Sequence, residues 1–234
     1  MRSRSIPTGG AAIYLREGVY ELTAGVSIDR ELSGTEEAPL LIASYPGETA
    51  VVSGGARVEG FEKLSEPAML DRLSEEARDH VLAADLPEEK IPDFGSMKPT
   101  SGRRLELYQD GKLAQPARYP NEGWLEIEDV PQSGERMINR GLDRDKSAVP
   151  KGRHYGRFVY PGDRPSNWES TDNVWVHGYW TWDWSDEYLP VERIDVGNRE
   201  IHPKPPHHRY GYTEGQRFAF LNVFEELDAR GEWY

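Results

Sequence analysis

The sequence contains no cysteine, which excludes disulfide bridges, thiolate zinc sites and cysteine nucleophiles. It also has no run of about 18 consecutive apolar residues, the length that a helix needs to cross a bilayer. We therefore expect no membrane as a partner. Mean hydropathy is low, at −0.75, so a core can form only beneath a very polar surface.

Basic residues are scarce, with 28 Lys and Arg against 41 Asp and Glu, for a net charge of −13. Proteins that bind nucleic acids usually present a basic face to the phosphates. No such face is visible, so we expect no nucleic acid as a partner. The acidic balance favours solubility and neutral or cationic partners. The first five residues include two arginines, but no apolar segment follows them, so the sequence shows no signal peptide.

Short apolar runs, separated by Gly and Pro turns, fill the first 60 residues. This pattern is typical of all-β proteins. Two of the runs, 13–15 and 40–42, are continuous rather than alternating, as expected for strands covered on both faces or stacked in a parallel array. A hairpin sandwich is the alternative. The predicted strands lie at 11–15, 18–22, 26–28, 39–43 and 51–55.

A helix is predicted after these strands. Ser65 is the candidate N-cap, and Pro67 suits the first turn because its missing N–H is not needed there. One face of this helix would be apolar. That face comprises Met69, Leu70, Leu73 and Ala77.

The Pro- and Gly-containing segment 85–97 predicts a linker, and we place a domain boundary near Gly102, which divides the chain into 1–101 and 102–234. Beyond it, Asp110-Gly111 between two strand-like runs predicts a hairpin. We therefore expect an antiparallel β module over 102–234. Its further predicted elements are strands at 157–160, 173–178, 191–196 and 217–222 and one or two helical turns at 223–227.

Ten short segments together carry a resemblance to known proteins, through their composition and their order: 18–22, 33–35, 45–48, 53–55, 110–112, 117–121, 178–180, 183–184, 222–228 and 231–234. The opening segments are similar to the first coils of right-handed parallel β-helix proteins of the pectate-lyase-like superfamily. The later ones are similar to glycoside hydrolase family 141, in which a β module is inserted into the early helix.

The resemblance implies a mainly β fold, with the start of a right-handed parallel β-helix plus an inserted antiparallel β module. It implies the N-terminal portion of an exported glycoside hydrolase-like protein acting on complex polysaccharide, secreted, at the cell surface or periplasmic. In that family the catalytic carboxylates come from coils downstream of the module, so no catalytic residue transfers to this chain and the piece would be inactive alone. The alternative is a non-catalytic carbohydrate-binding or surface-adhesion protein.

The segment 177–188 is the strongest candidate for polysaccharide or oligosaccharide binding. Indoles stack on the C–H faces of sugars, and carboxylates hydrogen-bond their hydroxyls. If the segment is a strand, side chains two residues apart share a face, so its tryptophans would all point the same way. The alternative is that these indoles form the core, with one of them lining a groove. The candidate substrate-binding residues are Trp180, Trp182, Trp184, Asp183 and Asp186.

The other candidates favour structural roles. Asp183, Asp186 and Glu187 have the chemistry of glycosidase acids, but acids beside a strand end are usually solvated. His202, His207 and His208 are possible zinc ligands; the prolines among them instead favour an exposed extended loop, and we expect neither a metal nor another cofactor. Arg118 and Asn121 could bind a substrate, although such an Arg more often contacts a carbonyl or carboxylate of its own chain.

Overall fold

A computed structural model describes residues 6–30, 32–86, 91, 95–98, 105–131 and 156–234. The described part is mainly β, as predicted. Contacts divide it into two compact units, one within Met1–Phe61 and Ala84–Pro92 and the other within Glu62–Ala83 and Asp93–Tyr234. The boundary predicted near Gly102 lies outside the described residues. Over the described ranges, no helix combines the length and the apolar character that crossing a membrane requires.

The first unit contains four strands in two parallel pairs. Strands β1 (Ala11–Leu15) and β3 (Leu40–Ser44) pair in register, and so do β2 (Gly18–Glu21) and β4 (Ala50–Ser53). The parallel array that the continuous apolar runs predicted is therefore confirmed. The expectation that these runs are covered on both faces is wrong, because two stacked layers cannot cover their own side chains: Ile13 and Leu41 are about half exposed. Residues 26–28 do not form a strand.

The second unit begins with a small hairpin-like pair, β5 (Glu62–Lys63) and β6 (Leu82–Ala83), which encloses two short helices, α1 (Pro67–Leu70) and α2 (Glu75–Arg78). The single predicted helix is thus two. The N-cap of α1 is Glu66 instead of Ser65, and no side chain caps this helix. At the start of α2, the side chain of Ser74 accepts a hydrogen bond from the backbone N–H of Ala77. The predicted apolar face does pack together, around buried Leu73, Ala77 and Phe224.

The antiparallel module follows. Strands β7 (Tyr108–Gln109) and β8 (Lys112–Leu113) form the predicted Asp110-Gly111 hairpin, in which both turn residues have positive φ. Two short strands, β9 (Gln115–Pro116) and β10 (Arg118–Tyr119), come next. The remaining strands are β11 (Leu125–Glu126), β12 (Phe158–Val159), β13 (Trp175–Gly178), β14 (Glu187–Asp195), β15 (Glu200–Pro203), β16 (Arg217–Leu221) and β17 (Glu232–Trp233).

Seven of these strands form one antiparallel sheet in the order β10-β16-β13-β14-β15-β12, with β11 also paired to β16. Strands β13, β14 and β16 place Val176, Leu189 and Phe220 in one transverse row, and all three are fully buried. Since side chains alternate between the faces of a strand, the neighbouring row, His177 with Tyr188 and Ala219, lies on the opposite face. The main core thus covers one face of the sheet, whereas His177 and Tyr188 on the other face are only half-buried.

Buried carboxylates hold a turn of 3-10 helix, Phe224–Glu226, at the edge of this core, where the sequence predicted one or two turns. Glu226 accepts hydrogen bonds from Arg164 at 2.7 and 2.9 Å and from the indole of Trp168 at 2.6 Å. Glu225 accepts from Arg72 at 2.9 Å, which ties the segment with α1 and α2 to the module. Paired in this way, the two buried charges are compensated.

Candidate functional site

The segment 179–186 is the connection between β13 and β14, not a strand, so the expected alignment of its three tryptophans on one face is wrong. Hydrogen bonds to the segment 211–213 hold this connection in place. The hydroxyl of Thr181 lies 3.0 Å from the carbonyl of Gly211, and the amide of Thr213 donates to the carbonyl of Trp180 at 2.9 Å. These contacts bend the chain at Thr181 and send successive indoles to different environments.

Trp180 is a core residue. Its side chain is fully buried against Phe158, Tyr212 and Phe218, and its indole N–H donates to the carbonyl of Glu187 at 3.1 Å. A buried indole with its donor satisfied offers no surface to a sugar. The placement of Trp180 on a binding surface is therefore corrected to the core, which was the alternative for this cluster.

The other two tryptophans of the cluster are separated from Trp180. Trp182 is half-buried, and its carbonyl accepts a hydrogen bond from the amide of Ser185. Trp184 is 68% exposed at the tip of the connection, with its ring edge-to-face on Tyr210 at 5.5 Å.

Four rings gather on the face of the sheet opposite the core, and we refer to Trp124, His177, Tyr179 and Tyr188 as the aromatic face. His177 stacks on Tyr188 at 4.0 Å, and Trp124 makes edge-to-face contacts with His177 at 5.2 Å and with Tyr179 at 5.5 Å. Trp124 is 38% exposed. It stands just before β11, so the alternation of that strand places it opposite the buried Ile127.

Charged side chains frame the aromatic face. The guanidinium of Arg217 lies over the ring of Tyr179 at 3.9 Å and binds Asp183, and Asp186 lies 2.8 Å from Nε2 of His177. The structure thus brings two of the predicted residues, Asp183 and Asp186, to this face through their contacts with Arg217 and His177. Cations over ring faces and hydrogen-bonded carboxylates give the surface both stacking and polar groups.

Arg118 positions the exposed ring of this face. Its guanidinium donates to the carbonyls of Pro120 and Gly123 and lies over Trp124 at 5.1 Å from the ring centre. Burial lowers the pKa of Arg118 from its ordinary value, yet a guanidinium remains charged at neutral pH. The expectation that this arginine contacts backbone carbonyls is confirmed, and Asn121 likewise bonds Asp228 at 2.7 Å.

A cleft of about 510 Å³ opens beside Trp124. Trp124 is therefore shared between the aromatic face and the cleft. The three carboxylates of the cleft wall belong to Glu126, Glu128 and Glu214. The full lining is Trp124, Leu125, Glu126, Ile127, Glu128, Pro161, Glu214 and Gly215.

The possible glycosidase acids do not form a pair in the described contacts. Asp183 binds Arg217, Asp186 binds His177, and Glu187 contacts Lys98 at 3.5 Å, so each carboxylate has a different basic partner. A glycosidase needs two carboxyls flanking one bond of the substrate. In the described contacts, each of these three carboxylates is instead held by a basic side chain.

The histidines 202, 207 and 208 are distributed over a strand and a loop. His202, in β15, bonds Arg193 and lies 3.2 Å from a carboxylate oxygen of Glu200; burial, and then the Arg193 charge, lower its pKa. His208 is buried, 3.4 Å from the hydroxyl of Ser185, so the expected exposed loop is correct for 204–206 and wrong for His208. In the ranges the structure covers, no three His, Asp or Glu residues gather as metal ligands.

The candidate segment 177–188 contains His177, Tyr179 and Tyr188, but the sequence did not single them out as binding residues, and Trp124 lies outside that segment. The alternation of 124–127 contains the missing signal: Leu125 and Ile127 are apolar, while Trp124 and Glu126 fall on the other face. Which of the two faces packs against the core depends on the pairing of β11 with β16, which is a long-range contact.

One solved structure shares the fold of this chain. It is described as a "Glycoside hydrolase" and matches with a TM-score of 0.60 and 21% identical residues. The match covers 97% of this chain and 34% of that one, so the chain spans about a third of the length of its neighbour. No family model and no curated protein matches the sequence. At this identity the likeness shows the fold and not the activity.

Proposed function

We propose that this chain is the N-terminal portion of a longer carbohydrate-active protein and that its aromatic face binds a polysaccharide or oligosaccharide. The observation that carries the proposal is the partly exposed Trp124, held by Arg118 between a cleft and three further rings. An indole offers a sugar a flat apolar surface, and the adjacent carboxylates of Asp183 and Asp186 offer hydrogen-bond acceptors to its hydroxyls.

The architecture of the parent protein follows as part of the same proposal. The two parallel pairs repeat after 29 residues (Ala11 to Leu40) and 32 residues (Gly18 to Ala50), as successive coils of a right-handed β-helix would. The family 141-like arrangement, with the antiparallel module inserted after the first coils, agrees with the greater length of the structural neighbour and with its description as a glycoside hydrolase. The parent is then an exported glycoside hydrolase whose catalytic carboxylates lie outside this chain.

A non-catalytic carbohydrate-binding protein is the second candidate. The separate basic partners of Asp183, Asp186 and Glu187 agree with it, because none of these acids pairs with another in the described contacts. Both candidates bind saccharide through the aromatic face. They differ in whether the full-length protein releases reducing ends from the polymer it binds, which a reducing-sugar assay measures.

Native gels cast with mixed-linkage β-glucan, galactomannan or xyloglucan test the binding. We expect at least one polymer to retard the wild-type chain and Trp124→Ala to weaken the affinity about tenfold, the equivalent of about 1.4 kcal/mol. Tyr45→Ala is the matched control, because Tyr45 is 47% exposed and belongs to the other unit. Circular dichroism melting verifies that each variant is folded.

The variant Trp184→Ala distinguishes saccharide binding at the aromatic face from binding at the tip of the β13–β14 connection. Loss of retardation in Trp184→Ala with full retardation of Trp124→Ala would move the sugar to the tip and contradict the proposed site. If none of the three polymers retards the wild-type chain, the proposal fails.

A further inference from the structure

The cleft beside Trp124 carries negative charge that the described residues do not fully compensate. Of its three glutamates, Glu128 is paired with Arg199 at 2.7 Å. Glu126 and Glu214 are exposed, and no ion pair or hydrogen bond to their side chains is found in the part of the chain that the structure describes. Two carboxylates of like charge thus face the space that adjoins the proposed sugar-stacking ring.

Uncompensated carboxylates act on sugars in two opposite ways. They accept hydrogen bonds from hydroxyl groups, which every pyranose has, and they repel the carboxylate of a uronic acid. At the water-exposed wall of a cleft the repulsion is screened only partly at physiological salt, because the Debye length of about 8 Å is comparable to the width of a sugar. The net charge of −13 adds repulsion of the same sign.

We infer that the cleft takes a segment of saccharide without acidic groups and excludes uronic acids, with Glu126 and Glu214 as the residues that determine this specificity. The inference rests on the proposed function, because it names the substrate class of the same site. A sugar stacked on Trp124 extends into the cleft lined by these two carboxylates. Its hydroxyls donate to them, whereas a C6 carboxylate in the same position would meet two like charges.

The test compares one polymer in two charge forms. The polymer is whichever of β-glucan, galactomannan and xyloglucan retards the wild-type chain, in its native form and after nitroxyl-mediated oxidation of its primary alcohols to carboxylates. Backbone and linkages are then the same in both forms. We expect the oxidised form to bind the wild-type chain about tenfold more weakly, because its carboxylates meet charges of the same sign in the cleft.

The double variant Glu126→Gln/Glu214→Gln should recover most of the affinity for the oxidised polymer, since it removes the repulsion and keeps two hydrogen-bonding side chains. The control, Glu62→Gln/Glu76→Gln, removes the same charge from two exposed glutamates outside the cleft and should recover little. In 1 M salt the difference between the two polymer forms should nearly vanish for the wild-type chain, because the Debye length falls to about 3 Å.

The outcomes separate the two proposals. Equal binding of both forms, or equal recovery in the two double variants, overturns the inference and leaves saccharide binding at Trp124 intact. Tighter binding of the oxidised form also overturns it. Retardation by neither form of any of the three polymers means that the proposed function itself has failed, and the inference falls with it.

Discussion

Two tryptophans of this chain have opposite environments. Trp180 is fully buried, whereas Trp124 stands just before β11 and keeps 38% of its surface in solvent. Composition cannot separate them, because an indole suits both a core and a sugar-binding surface. The difference arises from long-range contacts. The pairing of β11 with β16 places Trp124, whereas the hydrogen bonds of Thr181 and Thr213 bend the chain beside Trp180.

Gly178 shows how one residue in β13 permits the packing of Trp180. A Cβ at this position would lie 2.7 Å from the Trp180 ring and 2.9 Å from Cβ of Phe218. We expect Gly178→Ala to lower the free energy of unfolding by about 2 kcal/mol, since overpacking a core costs about that much. Urea denaturation measures the change.

Gly197→Ala is the matched control for that substitution. Its added Cβ would meet only the Asp195 carboxylate, at an ordinary 3.6 Å, so we expect the unfolding midpoint to remain close to that of the wild type. Equal midpoints for the two alanine variants would contradict the packing described for Trp180.

Among the secondary-structure elements, the sequence correctly predicted those that depend on residues close together along the chain. The Asp110-Gly111 hairpin follows from two residues that tolerate positive φ, and the parallel pairs follow from continuous apolar runs. The alternating tryptophans of the connection 179–186 are also compatible with a strand, so the local pattern does not distinguish the two. The bend of this connection depends on Thr181 and Thr213, which are 32 residues apart, and local patterns do not record such contacts.

The strands of the two units differ in how deeply they are buried, and therefore in how well their backbone amides are protected from exchange with solvent. None of the described residues from 6 to 61 is buried, whereas β13 and β16 lie against the main core cluster. Since amides with few buried contacts around them open at low free-energy cost, we expect those of β1–β4 to exchange with deuterium at least about tenfold faster than those of β13–β16. Mass-spectrometric hydrogen exchange on the intact chain tests this, and equal protection of both sets would contradict it.

At the scale of the whole molecule, the polar groups that frame the proposed site come from distant parts of the chain. Arg118, Trp124, Asp183 and Arg217 meet only because β10, β11 and β13 all pair with β16. Exported localisation, the β-helix and the downstream catalytic centre remain parts of the proposal for the longer protein. Saccharide binding at Trp124 is the part that this chain can test alone.

The most direct test is a titration of the ¹⁵N-labelled chain with oligosaccharides cut from the polymer that retards it, followed through the indole N–H signals. The chain has seven tryptophans, and single Trp→Phe variants assign their signals. Saccharide binding at the aromatic face predicts that the Trp124 signal shifts with saturation while that of buried Trp180 changes little. Shifts confined to Trp184, or no shift in any indole signal, would contradict the account.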